Sequence, residues 1–261
     1  MNKQNEVIQD RYNEDLEYVE ARIPGSPERE KHLQEVDFWK IKYLKKVAPP
    51  DHLISSILEI GCALGDLIGR FPSEVPFKKR YGIDVSDKNI TFAREQYPGI
   101  HFSCGTFEEY IKDHPEFCVD LIILSDILEH VDKDLFILEK SGRIADYVLL
   151  NLPLEKCDEF RDREFGPDDF RGHLRAYDLN DARRLVEEAG LVEIKQKKKT
   201  YVKSRIFRRH LRTKLKGDPH MKDQLKFLIK YALELLDITL FSRKYKKNYF
   251  ALLRRKNKNP L

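Results

Sequence analysis

Short apolar runs alternate with longer amphipathic segments through the first 200 residues. The apolar runs are buried-strand candidates, and they lie at 56–61, 80–84, 100–104, 119–124, 147–151 and 191–202. The segments between them are predicted helices, at 64–71, 86–97, 107–113, 135–144 and 179–189. Pro72, Pro98 and Gly190 follow three of these helices, as residues that end helices do. This alternation predicts an α/β fold, a doubly wound and mostly parallel sheet with helices on both faces.

Two further regions flank this alternating pattern. Before it, Leu33, Val36, Trp39 and Tyr43 recur at helical steps, which predicts a helix over 28–47. After it, residues 222–241 are apolar over most of a helical wheel, as in a helix buried against another surface. We therefore predict four regions: an N-terminal helical cap (1–50), a core (51–203), a basic amphipathic helical insert (204–247), and a last strand with a basic tail (248–261).

The charges are divided unevenly along the chain. Residues 195–261 hold 22 of the 48 Lys and Arg residues but only 4 of the 44 Asp and Glu residues. This basic quarter either packs on the acidic remainder or contacts something anionic. Three interpretations of the insert stay open: a lid or homodimer element, peripheral contact with an anionic membrane surface, or nucleic-acid binding. Nucleic acid is unlikely, because the aromatic residues are not interleaved with the basic ones.

Composition excludes several classes of protein. No run of about 18 apolar residues is present, so we expect no transmembrane helix. The polar N-terminus does not resemble a secretory signal, and we expect a cytoplasmic protein. Cys62, Cys104, Cys118 and Cys157 are widely spaced and form no CxxC pair, which argues against a zinc site and a disulfide framework. We expect four reduced, mostly buried thiols.

A turn rich in small residues follows the first predicted strand, in the sequence LEIGCALGD at 58–66. Gly61, Ala63 and Gly65 let a ligand approach the backbone closely. Glu59 offers an acceptor for a ligand ammonium group, which a pyrophosphate-binding GxGxxG turn does not need. Asp84 ends the second strand, where a carboxylate can accept both hydroxyls of a ribose. The arrangement predicts a site for a nucleoside that also carries an amino group.

These segments resemble the motifs of the class I S-adenosylmethionine-dependent methyltransferases, in particular the small-molecule subfamily of types 11 and 12. LEIGCALGD resembles the first motif and YGIDVSDKNITFAREQYP the second, while FSCGTFEEY falls at the adenine-contacting segment. VDLIILSDILEHV and GHLRAYDLNDARRLVEEAGL resemble two later motifs. The resemblance covers about residues 50–203 and the last strand. It implies a seven-stranded Rossmann-like sheet, S-adenosylmethionine as methyl donor and S-adenosylhomocysteine as product.

The resemblance also implies roles for individual residues. The expected cofactor contacts are Glu59 with the amino group, Gly61, Ala63 and Gly65 with the methionine part, Asp84 with the ribose, Val85, Thr106 and Phe107 with the adenine, and Ser125 and Ile127 as the floor. Two residues depart from the family pattern. Ala63 replaces the commoner glycine, and its methyl group is tolerable only if its backbone angles are ordinary. Thr106 stands where many members have an aspartate.

Methyl transfer requires an aligned acceptor and, for a hydroxyl, a group that takes its proton. His130 is a candidate base after the fourth strand, although it could instead shape the pocket through a hydrogen bond. His173 is a second candidate, as base or as a contact to the acceptor. Arg175 could hold an anionic acceptor, and its alternative is an ion pair with the acidic segment 158–169.

Asp126, Glu129 and His130 match in spacing the E-x-x-E-H set that resembles the metal-binding residues of ubiquinone-biosynthesis O-methyltransferases. A divalent metal is possible but not favoured, and we assign no metal ligand. The favoured function is O-methylation of a small molecule, such as a sugar, a quinone precursor or another biosynthetic intermediate. The alternatives are an RNA or protein methyltransferase recruited by the basic insert, and a non-catalytic cofactor-binding assembly protein.

Overall fold

The computed structural model describes residues 13–14, 16–73, 76–169, 171–200 and 247–256. Its strands are β1 (Ser56–Ile60), β2 (Lys79–Asp84), β3 (His101–Cys104), β4 (Val119–Ser125), β5 (Ala145–Leu154), β6 (Leu191–Thr200) and β7 (Lys247–Arg255). They form one seven-stranded sheet in the order β3-β2-β1-β4-β5-β7-β6. β7 pairs antiparallel with β5 and β6, and the other neighbours pair in parallel. The predicted doubly wound, mostly parallel sheet is confirmed.

Eight α-helices accompany these strands in the described ranges. They are α1 (Leu16–Ala21), α2 (Pro27–Glu35), α3 (Lys42–Val47), α4 (Asp66–Arg70), α5 (Asp87–Gln96), α6 (Phe107–Asp113), α7 (Asp134–Ile144) and α8 (Leu179–Glu188). Side chains that cap the first turn determine where several of these helices begin. Ser86 caps α5 by accepting a hydrogen bond from the N–H of Asn89.

The central strands are buried on both faces, and their alternate residues enter two different core clusters. Leu58, Ile122 and Leu150 belong to one cluster, which also contains Leu138 of α7 and Leu185 of α8. Residues of opposite parity in β1, β4 and β5 belong to the other, which includes the α3 side chains. Each fully buried aliphatic side chain contributes about 1.5–3 kcal/mol to stability. The two helical layers therefore hold the sheet from both sides and fix the edge where its parallel strands end.

The N-terminal region differs in detail from the prediction. The helix expected over 28–47 is present as α2 and α3, but a π-helical turn at Val36–Ile41 joins them. α1 lies within the predicted helical cap (1–50), ahead of the one helix that periodicity indicated there. Tyr43 of α3 stacks on Phe250 of β7, so this region packs directly on the sheet. The predicted insert at 204–247 lies outside the described residues, apart from Lys247 at the start of β7.

The cysteines are free thiols, as expected, but they are not mostly buried. Cys62 is buried, Cys157 is partly buried, and Cys104 and Cys118 are exposed. Cys104 is the last residue of β3 and Cys118 directly precedes β4, and spacing along the sequence gives no indication of burial at such strand ends. None of the helices within the described residues has the length and apolar composition of a membrane span.

Candidate active site

A cavity of about 1210 Å³ opens where β1, β2 and β4 end. Parallel α/β sheets bind ligands at this edge, because the loops that leave the strands diverge there. The N-terminal helices supply one wall, with Trp39 and Lys40, and the segment after β5 supplies another, with Phe160 and Arg171. The predicted site residues in its lining are Gly61, Ala63, Asp84, Val85, Thr106, Phe107, Ile127, His130 and His173.

The turn after β1 is built from three left-handed residues. Gly61 has a φ of 73°, Ala63 of 44° and Gly65 of 75°. Ala63 therefore does not meet the condition of ordinary backbone angles under which its methyl group would be tolerated without strain. A left-handed alanine costs about 1–2 kcal/mol, because its Cβ crowds the following carbonyl oxygen. A Cβ on Gly61 would lie 2.6 Å from Cδ1 of Ile127, so glycine here lets the two loops touch.

Asp84 holds the turn in this shape from the end of β2. One carboxylate oxygen accepts a hydrogen bond of 2.8 Å from the N–H of Ala63, and the other accepts one of 2.9 Å from the N–H of Ser86. Burial raises the pKa of Asp84, and these two N–H donors oppose that rise. The carboxylate is thus fixed at the cavity wall with lone pairs left for further donors, which suits the two hydroxyls of a ribose.

Glu59 and Gly65 do not line the cavity, contrary to the contacts expected of them. A carboxylate oxygen of Glu59 accepts a hydrogen bond of 2.9 Å from the N–H of Ile68, inside the first turn of α4. Burial raises the pKa of Glu59 to about 8, although Lys40 acts against the rise. Gly65 sits directly before α4, where a Cβ would lie 2.8 Å from the Phe102 ring. Both residues shape the turn from behind rather than forming its surface.

The predicted adenine side of the cavity contains Val85, Thr106 and Phe107. The Thr106 hydroxyl accepts a hydrogen bond from the N–H of Glu109 and donates one to the Glu109 carboxylate. This capping box starts α6, so the threonine hydroxyl already serves the helix. The side chain of Phe107 is buried in the core and also reaches the cavity wall. Thr106 therefore supplies at most one remaining acceptor position to an adenine amino group.

A polar network lies below the cavity at the end of β4. Asp126 has a left-handed φ of 55° and accepts a hydrogen bond of 2.9 Å from Nδ2 of Asn151. Lys40 lies 3.1 Å from the same carboxylate. Burial disfavours the lysine charge, but Asp126 and other acidic neighbours outweigh it and raise the pKa of Lys40. Ser125, expected in the cofactor floor, is buried within this network and does not line the cavity.

Lys40 was not among the predicted site residues, because helical spacing along α2 and α3 indicates burial but not chemistry.

A second contact attaches the N-terminal helices to the loop that follows β1. Nη1 and Nη2 of Arg29 each donate a hydrogen bond to the carboxylate of Asp66 at the start of α4, over 2.5 and 2.7 Å. The hydroxyl of Tyr97 donates to the same carboxylate. Burial acts to raise the pKa of Asp66, but His32, Arg29 and Tyr97 outweigh it and hold it at about 2.

His130 and His173 are neighbours in the cavity wall, and their rings pack edge to face. The ring centroids of His130 and His173 are 4.5 Å apart, with an interplanar angle of 76°. Nδ1 of His130 lies 3.1 Å from the carbonyl oxygen of Gly172, so this nitrogen donates and Nε2 carries the lone pair. Burial and the neighbouring His173 lower the pKa of His130 to about 4. His130 is therefore neutral near pH 7. The fold brings together the two histidines that the sequence separates by 43 positions.

His173 is held by a buried charged cluster that sequence reasoning missed. Its Nδ1 lies 2.6 Å from a carboxylate oxygen of Glu155, and the same oxygen accepts a hydrogen bond of 3.1 Å from Arg163. Arg163 also binds both carboxylate oxygens of Asp169, over 2.8 and 2.7 Å. Asp169 in turn accepts a hydrogen bond from the backbone N–H of His173. The only available signal was the density of charged residues at 155–169.

Arg175 does not line the cavity, so the structure gives no support to its predicted contact with an acceptor. Its guanidinium lies 2.6 Å from Asp134, at the start of α7, and donates to the carbonyl oxygen of Asp132. The alternative was an ion pair with 158–169, and the observed partner is a different acid. Arg175 therefore anchors its loop to the segment after β4.

Ligand atoms of Glu129, His130 and His173 all lie within 4.8 Å of one another. This trio differs from the set matched in the sequence, because Asp126 is engaged by Lys40 and Asn151 while His173 takes its place. Two imidazole nitrogens and a carboxylate are donors that transition metals accept. Both histidines also have a hydrogen-bond partner at Nδ1, which fixes their ring orientation.

Solved structures with similar folds can be aligned with almost the whole chain. A cyclopropane synthase from Mycobacterium tuberculosis has a TM-score of 0.59 at 13% identity, covering 95% of this chain and 97% of that chain. A magnesium protoporphyrin IX methyltransferase from Synechocystis, solved with bound S-adenosylhomocysteine, has a TM-score of 0.57 at 14% identity, covering 96% and 99%. A [4+2]-cyclase has a TM-score of 0.58 at 12% identity, covering 96% of both chains.

Residues 58–146, from β1 to the start of β5, match the sequence model of a methyltransferase domain family. The matched segment includes the left-handed turn, Asp84 and His130. Residues 58–146 are thus similar to a methyltransferase domain, and the whole chain shares the fold of the solved neighbours. A comparison of the chain with curated protein sequences gives no significant match.

The structural neighbours of this chain include a cyclase and a cyclopropane synthase. A shared fold at such low identity does not fix the reaction. The acceptor and the chemistry therefore have to be argued from the residues in the cavity itself.

Proposed function

We propose that this protein is a methyltransferase that transfers the methyl group of S-adenosylmethionine to a hydroxyl oxygen of a small-molecule acceptor. The observation that carries the proposal is the adjacent pair His130 and His173 in the cavity wall. The same cavity is lined by Asp84 and by the left-handed turn after β1, which we assign to the cofactor. A hydroxyl is a poor nucleophile until its proton is removed, and a neutral imidazole is a suitable acceptor for that proton. Candidate acceptors are a sugar, a quinone precursor or another hydroxylated biosynthetic intermediate.

The cofactor accounts for one half of the cavity. Asp84 would bind the ribose hydroxyls with the lone pairs that Ala63 and Ser86 leave available. The left-handed turn would follow the methionine part, with Ile127 packed against Gly61 below it. Glu59 acts through the turn, because its carboxylate binds the backbone of α4 and does not reach the cavity surface.

The remaining half of the cavity accommodates the acceptor. Trp39 and Phe160 give it apolar surface, while Lys40, Arg171 and the histidines give it polar groups. Such mixed walls fix the orientation of a small ligand by a few polar contacts. Alignment of the acceptor oxygen with the methyl group then supplies much of the rate enhancement of an in-line displacement.

Calorimetric titration with S-adenosylmethionine and with S-adenosylhomocysteine tests the cofactor site. We expect binding to both, and Asp84→Ala should weaken it by about 10–100-fold, as the loss of a charged hydrogen-bonding group costs about 1.5–3 kcal/mol. Asp120→Ala is the matched control. Asp120 also accepts backbone N–H groups, those of Ser55 and Ser56, but at the opposite end of β1. Equal loss of affinity in both variants would contradict the assignment of Asp84.

Methyl transfer is then measured with a panel of sugars, catechols and hydroxybenzoates, following S-adenosylhomocysteine formation. We expect turnover on at least one hydroxyl compound. Turnover confined to amines, RNA or protein would exclude O-methylation of a small molecule. Cofactor binding without turnover on any acceptor class would favour a non-catalytic assembly role.

A further inference from the structure

We propose that His173 is the residue that takes the acceptor proton, and that Glu155 is the positioning residue that makes it able to do so. The inference rests on the proposed methyl transfer to a hydroxyl. The sequence leaves open whether His130 or His173 is the base and does not indicate Glu155. The contacts behind the two rings distinguish them.

Glu155 fixes the orientation and tautomer of His173. The carboxylate is buried, with 1% of its surface exposed, and its Oε2 lies 2.6 Å from Nδ1 of His173. A carboxylate only accepts hydrogen bonds, so Nδ1 is the protonated nitrogen and Nε2 carries the lone pair. A carboxylate behind an imidazole also stabilises the positive charge that appears when Nε2 takes a proton.

Arg163 and Asp169 hold Glu155 and His173 in one rigid unit. Arg163 donates to Glu155 and, through two bonds, to Asp169. Burial acts against the charge of Asp169, but Arg163 and the N–H groups of His173 and Arg171 outweigh it and lower the pKa of Asp169. Asp169 thus fixes the backbone of His173, while Glu155 fixes its ring. Support of the base by a second carboxylate of this kind is typical of sites in which geometry determines the rate.

His130 has a weaker arrangement for the same task. The group behind its Nδ1 is a neutral carbonyl oxygen, that of Gly172, at 3.1 Å. Its ring is approached by His173, so a second positive charge beside a protonated His173 is disfavoured. A neutral His130 contacts the base without competing for the proton.

The reaction step balances with these groups. A lone pair of the acceptor oxygen attacks the methyl carbon, the bond between that carbon and sulfur breaks, and its electron pair stays on sulfur to give S-adenosylhomocysteine. The hydroxyl proton moves to Nε2 of His173, and the imidazolium pairs with Glu155. Release of that proton to water after product departure restores the starting state.

Glu155→Gln tests the positioning role, since glutamine keeps the size and an oxygen acceptor but removes the charge. With the hydroxyl acceptor identified by the panel, we expect kcat to fall by at least 10-fold while KM and S-adenosylhomocysteine affinity change by less than 2-fold. The acid limb of the pH profile of kcat should move to lower pH, because the imidazolium is no longer stabilised. His173→Asn should abolish the acid limb, and His130→Asn should retain it.

Nitrogen NMR of the histidine side chains gives a readout that does not depend on turnover. We expect the His173 signal, assigned by its loss in His173→Asn, to show a protonated Nδ1 that shifts in Glu155→Gln. A protonated Nε2 at His173, or an unchanged signal in Glu155→Gln, would overturn the inference even if methyl transfer is found. Conversely, the expected NMR result with turnover only on amines would contradict the proposed function and, with it, the role of His173 as base. A normal pH profile in His173→Asn would also overturn the inference.

Discussion

At the scale of single residues, Ala63 is under strain where glycine would be relaxed. Its φ of 44° costs about 1–2 kcal/mol, and the greater freedom of glycine in the unfolded chain returns about 0.4–1 kcal/mol. Ala63→Gly should therefore raise the free energy of unfolding by about 0.5–1 kcal/mol, measured by urea denaturation. Ala48→Gly is the control, because Ala48 has an ordinary φ of −52°, and it should lower stability. A loss of stability in both variants would mean that the strain at Ala63 is absent.

The histidine pair gives a second prediction at this scale. Zn²⁺ binds neutral imidazole nitrogens and carboxylates, and Glu129, His130 and His173 offer three such atoms within 4.8 Å. If His173 acts as base, Zn²⁺ should inhibit methyl transfer by occupying its lone pair, while EDTA should leave the rate unchanged. Mg²⁺, which prefers oxygen ligands, is the control and should not inhibit. Loss of turnover in EDTA with recovery on adding metal would instead indicate that a metal ion activates the hydroxyl.

At the scale of secondary structure, the periodicity of the sequence predicted most elements within one or two residues, because buried parallel strands are continuous apolar runs. It predicted α6 at its observed bounds, 107–113. It did not predict the π-helical turn at Val36–Ile41, since no local sequence signal separates it from the flanking helices. The site was predicted where residues follow strand ends, as for Asp84. Glu155 and Lys40 were missed because only tertiary packing brings them to the histidines and Asp126.

The junction of β1 and α4 carries a pH-dependent prediction. Burial raises the pKa of Glu59 to about 8 in the folded protein, above its ordinary value of 4.5. The unfolded carboxyl releases its proton first, so the stability that this group contributes is full below pH 4.5 and is lost as pH rises through 8. Between pH 6 and pH 9 the free energy of unfolding should fall less in Glu59→Gln than in wild type, by on the order of 2 kcal/mol. Thermal unfolding at each pH measures this difference.

Glu95→Gln is the control for this measurement, since Glu95 is an exposed residue of α5. It should follow the wild-type pH dependence. An identical pH dependence in Glu59→Gln and wild type would show that Glu59 is ionised throughout this range. The N–H of Ile68 in α4 would then donate to a charged carboxylate.

At the scale of the whole molecule, described lysines of β6 gather with lysines of α3. Lys195, Lys197 and Lys199 pair with Leu252, Phe250 and Asn248, on the face of the sheet that α3 covers. Burial and the approach of Lys197, Lys42 and Lys199 lower the pKa of Lys46. We call Lys42, Lys46, Lys195, Lys197 and Lys199 the lysine surface.

The lysine surface should bind polyanions without blocking the cavity. β6 lies four strands away from β1 in the sheet, roughly 19 Å at the usual strand spacing, and none of the five lysines lines the cavity. Retention on heparin should therefore decrease with salt. Lys46→Gln/Lys197→Gln should lower the slope of log affinity against log salt by about 2, because each lysine bound to an anionic group contributes about 1 to that slope. Affinity for S-adenosylhomocysteine should stay the same, since the two sites share no residue.

Lys78→Gln/Lys88→Gln is the matched control, because it removes two exposed lysines from other parts of the body. If both double variants lower the slope equally, heparin responds to net charge and the lysine surface has no special role. If only the lysine-surface variant does, clustering of charge determines binding, because lysines that repel one another in the free protein gain more from an anionic partner than scattered lysines do. The sheet would then carry two separate sites, with methyl transfer at the ends of its parallel strands and anion binding at its antiparallel edge.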